Sequence, residues 1–436
     1  MTLAQLPPDY DVINVAFATP STPLGSTMVF VPDAQLYPNA AQFPADVQAL
    51  QAQGKKVLIS IGGANGPVQL LTATDVTNFV SSMLSIITTH GFDGLDIDLE
   101  GSSLGIDPGD QDFQNPTSPK VVNFIAAVTQ LLGMLPADFM LTAAPETATL
   151  QGAVSAYAGV WGAYLPVIHA LRNQLDWVQV QHYNTGPMVD RNGQLQSPAT
   201  ADFHVAMADM LMTGFFVPAA GAFFPPLDPS QVVIGLPASP LAAGTGFTPA
   251  PIVHAALDHL YLGLSAGSNY PLGNSNGYEH FRGLMTWSIN WDLHAASSFS
   301  QSHRSYLDSV NLATDTQTVL TGSGGSVHFS LRAGVAHAGR AYFLVPTLSG
   351  TSPGTWLPGN RNFPINLDGV SDWPFRPATS GFFGGFAGFL DAQGSGSAAL
   401  VVPPGVLPGT ISAHYAFVLS YPWEFASAAV QVDFMP

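Results

Sequence analysis

Up to about residue 312 the chain alternates short apolar runs with segments in which apolar residues recur at helical spacing. The strand-like runs are Val12–Ala18, Lys56–Ile61, Phe92–Leu99, Phe139–Ala143, Trp177–His182, Val232–Leu236 and Gly283–Ile289. They are rich in β-branched and aromatic residues and nearly continuous in apolarity, as strands buried on both faces are. The clearest helical segment is Thr74–His90. There Val76, Phe79, Val80, Met83, Leu84 and Ile87 fall at i, i+3, i+4, i+7, i+8 and i+11, with Thr74 or Asp75 as the expected N-cap and Gly91 as the stop. Val121–Leu135 and Ile252–Leu262 read the same way. Strand alternating with helix implies a parallel sheet, and seven such strands favour a (β/α)8 TIM-type barrel over an open doubly wound sheet.

Past a flexible Thr-Gly-Ser-Gly-Gly-Ser stretch at 321–326 the helical period is gone. Short alternating runs follow at Ser326–Leu331, Ala341–Val345, Ala398–Val402, Ser412–Leu419 and Ala429–Phe434, separated by Gly/Pro turns. They predict a C-terminal all-β, sandwich-like module. The expected division is therefore a barrel over 1–315, a Gly/Ser linker over 316–326 and an all-β accessory domain over 327–436. Trp356, Trp373, Phe375 and Trp423 in that module are either core residues or an aromatic platform for a polysaccharide, and the core reading is the more common use of such rings.

Composition narrows the function. Of 436 residues, 47% are hydrophobic and only 9% charged, which excludes a disordered chain. The net charge is −18, only three of the 11 basic residues are lysines, and no basic run exists. A phosphate backbone or an anionic membrane surface would be repelled, so neither nucleic acid nor membrane is an expected partner. Cysteine is absent, which removes disulfides, thiol catalysis and zinc–thiolate sites together. No run approaches the ~18 apolar residues of a membrane span.

The densest chemical signal is Asp93-Gly-Leu-Asp96-Ile-Asp98-Leu-Glu100. On a strand, the period of two sends Asp96, Asp98 and Glu100 to one face and Leu95, Ile97 and Leu99 to the other. Neighbours along a strand face lie ~6.6 Å apart. At an effective dielectric of 20, each like-charge pair then costs about 2.5 kcal/mol. That raises at least one carboxyl pKa and keeps a proton available at neutral pH, the requirement for a general acid. A divalent-cation site is the competing use of such a row. A solvated acidic edge fits poorly with the strongly apolar intervening residues.

The octapeptide at 93–100 resembles the catalytic strand of family 18 glycoside hydrolases, the chitinase family. Further pieces arrive in the family's order: Ser60-Ile-Gly-Gly63, Ala143-Ala-Pro-Glu146, Gln181-His-Tyr-Asn184, Gly235-Leu-Pro-Ala238 and Met285-Thr-Trp-Ser288. The Gln-x-Tyr-Asn and Gly-Leu-Pro-Ala pieces are similar to those of the hevamine-like branch, which includes bacterial chitinases. The resemblance spans roughly residues 10–300.

The resemblance implies retaining, endo-acting hydrolysis of β-1,4-linked N-acetylglucosamine polymers, with the substrate's own 2-acetamido carbonyl as nucleophile. Glu100 is then the general acid, Asp98 orients the acetamido N–H, and Asp96 sits deeper with Ser60 as its partner. Tyr183 binds the acetamido carbonyl, and Trp287 lies under the sugar. Ser60, Gln181 and Asn184 are expected at the substrate, with no metal and no cofactor. Glu146 and Asp292 are weaker subsite candidates, Asp93 reads as a strand-start residue, and His182 as structural. Two other functions share the fold: an endo-β-N-acetylglucosaminidase acting on N-glycans, and a non-catalytic chitin-binding lectin, against which Glu100 argues. The expected protein is a secreted monomer. The family's barrel opens with one more strand, ahead of Val12, so the expectation is seven of eight strands in a chain lacking its natural start. An extended segment such as Thr27–Val31 is the alternative filler of that gap.

Overall fold

A computed structural model describes residues 1–436 apart from 264–266, 276, 279, 334–336, 359–360, 380, 393, 407–408 and 428. The chain divides into two compact units, Met1–Gln301 and Ser302–Pro436. In the first, seven strands lie in parallel: β1 (Val12–Pro20), β2 (Lys56–Gly62), β3 (Gly94–Asp98), β4 (Met140–Ala143), β5 (Trp177–Gln181), β6 (Val232–Pro237) and β7 (Gly283–Trp287). They neighbour one another in chain order, from β7 back to β1. Each is joined to the next through helical segments, including α1 (Gln42–Gln51), α2 (Ala73–His90), α3 (Pro119–Leu132), α4 (Leu165–Leu171), α5 (Ala201–Thr213) and α6 (Ala250–Leu262). This is the curled sheet and helix layer of a TIM-type barrel.

Every residue of β3, β5 and β6 is buried, which is why their sequences read as unbroken apolar runs with a few polar exceptions. Helix α2 starts one residue earlier than the pattern suggested, at Ala73. Its N-cap is Thr72, whose hydroxyl accepts from the Asp75 amide while the Asp75 carboxylate accepts from the Thr72 amide. That reciprocal box needs an acid three residues after the cap, and only Thr72 has one there. Gly91 ends the helix in the left-handed conformation, as expected. Phe79 of α2 meets Phe124 of α3 edge to face at 5.8 Å, fixing the outer layer.

Among the described residues no strand pairs β7 with β1. The segment Met28–Val29 does not fill that place, because it pairs antiparallel with only Thr19 and Pro20, at the end of β1. Two side-chain contacts span the strands instead. Phe17 stacks on Trp287 with ring centroids 5.8 Å apart, and the Tyr10 hydroxyl donates to Asp292 at 2.8 Å.

Beyond the helix Ser298–Val310, which straddles the boundary, the described residues of the second unit are mainly β, with a short 3-10 turn at Trp373–Phe375. A four-stranded sheet (Leu312–Thr314, Gly325–Arg332, Ser395–Val402, Phe383–Gly384) and a five-stranded sheet (Thr318–Leu320, Val430–Met435, Ile411–Leu419, Ala341–Thr347, Ala387–Phe389) share one apolar core. Phe329, Leu344, Phe386, Tyr415 and Phe417 are among its members. The supposed linker at 316–326 is part of these sheets. Thr318–Leu320 pairs in parallel with Val430–Met435, and Gly325 already begins the next strand. Glycine and serine there supply a tight turn between sheets rather than slack, with Gly324 at φ +68° against the Val402 carbonyl. Trp423 packs against a smaller core cluster around Val345 and Phe363, whereas Trp356, Trp373 and Phe375 are exposed.

Candidate active site

The parallel register puts Ser60 beside Asp96, Gly62 beside Asp98 and Thr142 beside Asp96. Side chains from β2, β4 and β5 surround one buried carboxylate. Asp96 accepts from Ser60 Oγ at 2.7 Å, Thr142 Oγ1 at 2.6 Å and Gln179 Nε2 at 2.8 Å. Burial pushes its carboxyl pKa up, and these three donors oppose that shift. Gly62 is required where it stands: at φ +97°, a Cβ would fall 2.4 Å from the Asp98 carbonyl oxygen. The same oxygen accepts from the Gly63 amide at 2.7 Å, locking the ends of β2 and β3 together.

Asp98 is only 7% exposed and Glu100 lies just past the strand end, half-buried. Gln181 Nε2 joins them, donating to Asp98 Oδ1 at 2.9 Å, Glu100 Oε1 at 3.2 Å and the Ala144 carbonyl at 3.0 Å. Asp98 is held well above the usual carboxylate range. Burial is the largest cause, followed by the negative charges of Glu100, Asp96 and Glu146 and a hydrogen bond shared with Glu100. Asp96 and Asp98 are therefore both biased toward their protonated forms. Tyr183 is buried beside it; burial first, then the charges of Asp98 and Glu100, push its phenol far up, so it remains a hydrogen-bond donor.

Trp287 ends β7 with a half-buried indole against Phe17. Asn184 is placed differently. It is exposed in a left-handed conformation, its Oδ1 accepts from the Gly244 amide at 2.9 Å, and it makes no hydrogen bond to the acid row. Glu146, after β4, is half-buried next to Gln181 in the sheet, and burial and then the Glu100 charge raise its carboxyl pKa. Asp292 is fully buried and occupied by Tyr10 and by the amides of Phe299 and Ser300. Asp93 accepts from the Val57 amide at the start of β2. Among the described residues no group of three or more His, Asp or Glu side chains has a metal-holding arrangement.

Three participants were not singled out from sequence: Thr142, Gln179 and Tyr164. Gln179 was findable, because the period of two puts it on the same face as Gln181. Thr142 was visible only as the polar residue inside Met140–Ala143. Tyr164 had no local signal. It is fully buried, accepts from the Leu99 amide at 2.6 Å and donates to the Ile97 carbonyl at 3.3 Å, pinning the backbone between Asp98 and Glu100.

A curled parallel sheet with an acid row at the carboxyl end of β3 defines a TIM-type glycosidase scaffold. The sequence model of Glycosyl hydrolases family 18 matches residues 2–251, and the chain belongs to that family. Among curated relatives, Chitinase Chi52 of Paenibacillus xylanexedens is 51% identical over 311 residues, covering 71% of this chain and 59% of the relative. Chitinase D of Niallia circulans is 51% identical over 312 residues with the same coverage. The chain thus spans about three fifths of the length of these two relatives. A probable class II chitinase of Arthroderma benhamiae is 45% identical over 319 residues, 71% of this chain and 95% of the relative. In structure the chain is similar to a family GH18 chitinase from Chromobacterium violaceum, at 40% identity and TM-score 0.64, covering 70% of this chain and 79% of that one.

Proposed function

We propose that the protein hydrolyses chitin, cutting β-1,4 bonds between N-acetylglucosamine units within the chain and retaining configuration at the anomeric carbon. The observation that carries this reading is the Asp98–Glu100 pair held by Gln181, with Tyr183 as a protonated donor alongside. Two carboxylates on one strand cannot flank a sugar ring as an acid and a nucleophile of the ordinary retaining scheme do. They suit a reaction in which the sugar's own acetamido oxygen attacks. Glu100 protonates the glycosidic oxygen and the leaving sugar departs. As Glu100 takes up the proton that the pair shares, Asp98 is left ionised, accepts the acetamido N–H and balances the positive charge of the oxazolinium. Tyr183 steadies the acetamido carbonyl as it approaches the anomeric carbon, a near-attack geometry that replaces a protein nucleophile. Glu100, now ionised, draws a proton from water, which opens the oxazolinium from the face the leaving group vacated. Trp287 supplies an apolar floor for the distorted ring, and Ser60 acts from below through Asp96 rather than on the substrate.

The relatives named as chitinases support chitin over the N-glycan core as substrate. Export from the cell fits an insoluble polymer substrate; no helix among the described residues is long and apolar enough to cross a membrane. The test is incubation with acetylated chitin oligomers and, separately, with a high-mannose glycoprotein, each followed by mass spectrometry. Shortened oligomers are expected, and cleavage of the glycoprotein alone would overturn the substrate. Partly de-N-acetylated oligomers should resist cutting wherever the sugar on the non-reducing side of the bond lacks its acetyl group. Equal cutting at such bonds would remove the substrate-assisted step.

A further inference from the structure

His182 lies between Gln181 and Tyr183, and its ring is turned away from the acid row into a fully buried contact with His204 of α5. The two imidazoles stack with centroids 5.3 Å apart and planes 5° apart, and their Nδ1 atoms are 3.0 Å from each other. His204 Nε2 is 2.9 Å from Thr248 Oγ1, and that hydroxyl donates to the Gly246 carbonyl at 3.1 Å. Phe203 closes the pocket edge-on to both rings.

This connectivity fixes the protons. The Thr248 hydroxyl spends its hydrogen on Gly246, so it accepts from His204 Nε2–H. A neutral His204 then offers a lone pair at Nδ1, which accepts from His182 Nδ1–H. Both rings are neutral, consistent with burial pushing His182 well below its ordinary range and His204 down to about 4.

The far end of the array returns to the active site. A Cβ at Gly246 would lie 2.5 Å from Tyr183 Cα and 2.8 Å from the His182 carbonyl oxygen, so the Gly246 backbone rests directly on Tyr183. The Asn184 amide bonds the Thr245 carbonyl at 3.3 Å, and the Gly244 amide bonds the Asn184 side chain. Asn184 thus belongs to the same clamp. On the other side, the His182 amide is tied to the Gly235 carbonyl of β6 at 2.9 Å. Tyr183 is therefore held between a ring-to-ring bond behind it and a loop packed over it, both anchored on His204.

We propose that His204, acting through His182 and Thr248, is a positioning residue that sets the Tyr183 phenol for the substrate's acetamido group. The proposal rests on the role of Tyr183 given above. Because the array never touches substrate, its loss should weaken the transition state and leave ground-state binding nearly intact.

The experiment compares His204→Leu, His204→Gln and Thr248→Val with the wild type. It reads kcat and KM on a chitin tetrasaccharide, affinity for a chitobiose-derived thiazoline that mimics the oxazolinium, and crystal structures of the variants. Loss of His204 to Leu should lower kcat about 10- to 100-fold, the usual consequence of a misplaced group, with KM nearly unchanged. Thiazoline affinity should fall with kcat, and the phenol should move. Gln accepts through its oxygen and donates through its nitrogen, so His204→Gln should recover most of the loss. Thr248→Val, nearly isosteric, should lower kcat in the same direction. An unmoved phenol in folded His204→Leu overturns the proposal whatever the substrate proves to be. Should that variant fail to fold, a wild-type kcat in Thr248→Val overturns it. A wild type that leaves chitin oligomers intact would instead overturn the functional reading, and the position of the phenol would still decide the array.

Discussion

The two units of this chain bury different things. The barrel unit encloses Asp96, Asp98, Gln179, Gln181, His182, His204 and Asp209, all less than a tenth exposed. Among the described residues of the β unit, no Asp or Glu is buried to that degree, and its core cluster is built of Val, Leu, Ala, Phe and Tyr side chains. A buried polar group destabilises the fold unless each donor and acceptor is matched. In the barrel that matching is nearly complete around Asp96, which takes three side-chain donors. The buried polar groups of the β unit include small hydroxyls such as Thr347 and Ser427, and its main core cluster is apolar. The comparison locates reactive chemistry in the barrel, where low dielectric and fixed donors shift proton affinities, and gives the β unit no comparable machinery.

Four substitutions would break or sharpen that contrast. Glu100→Gln should lower kcat on chitin oligomers about 10²–10⁴-fold, the range of a lost general acid, while calorimetry finds oligosaccharide affinity almost unchanged. Turnover at the wild-type rate would strip Glu100 of its role. In the β unit, Phe417→Ala should cost about 3–5 kcal/mol of stability by leaving a cavity, measured by denaturant unfolding, with kcat per folded molecule unaltered. A matching loss of kcat would show that the two regions are not functionally distinct.

Smaller effects probe the hydrogen bonds beneath the acid. Asp96→Asn presents an amide hydrogen to at least one of its three donors, at a cost of about 1–3 kcal/mol for the group left unsatisfied. Stability should drop and kcat with it. Retention of both would mean that the donors rearrange freely. The smallest effect is in the pH dependence of stability. Asp98 holds its proton well above the ordinary 3.8, so over an interval starting there the native protein binds a proton that the unfolded chain has released. Stability contributed by that proton therefore falls as pH rises, and the fall ends once the native carboxyl has ionised. Asp98→Asn should flatten this part of the curve in urea titrations across the acid and neutral range. An unchanged slope would assign the proton to another member of the row.

Much of the site could be read without coordinates because β-strands translate sequence spacing directly into direction. Asp96 and Asp98 share a face because they are two residues apart, and the same rule makes Gln179, Gln181 and Tyr183 a set. Long apolar runs gave the seven barrel strands to within one or two residues, since a strand buried on both faces leaves few other compositions. Glycine-rich chemistry was more ambiguous. The 321–326 stretch read as slack, but such residues serve a tight turn between strands of two sheets equally well, and only the pairing partners at 430–435 and 395–402 distinguish the two.

What the sequence determined by itself was the alternation of elements, the acid row and the family resemblance, all set by local period and composition. The tertiary structure decided which side chain faces which across strands. It chose Thr142 and Gln179 as donors to Asp96, set Tyr164 on the backbone of the row, turned Asn184 toward Gly244, and paired His182 with His204. Those choices depend on sheet register and on the packing of helices and loops over strands distant in sequence, and neither leaves a periodic trace along the chain.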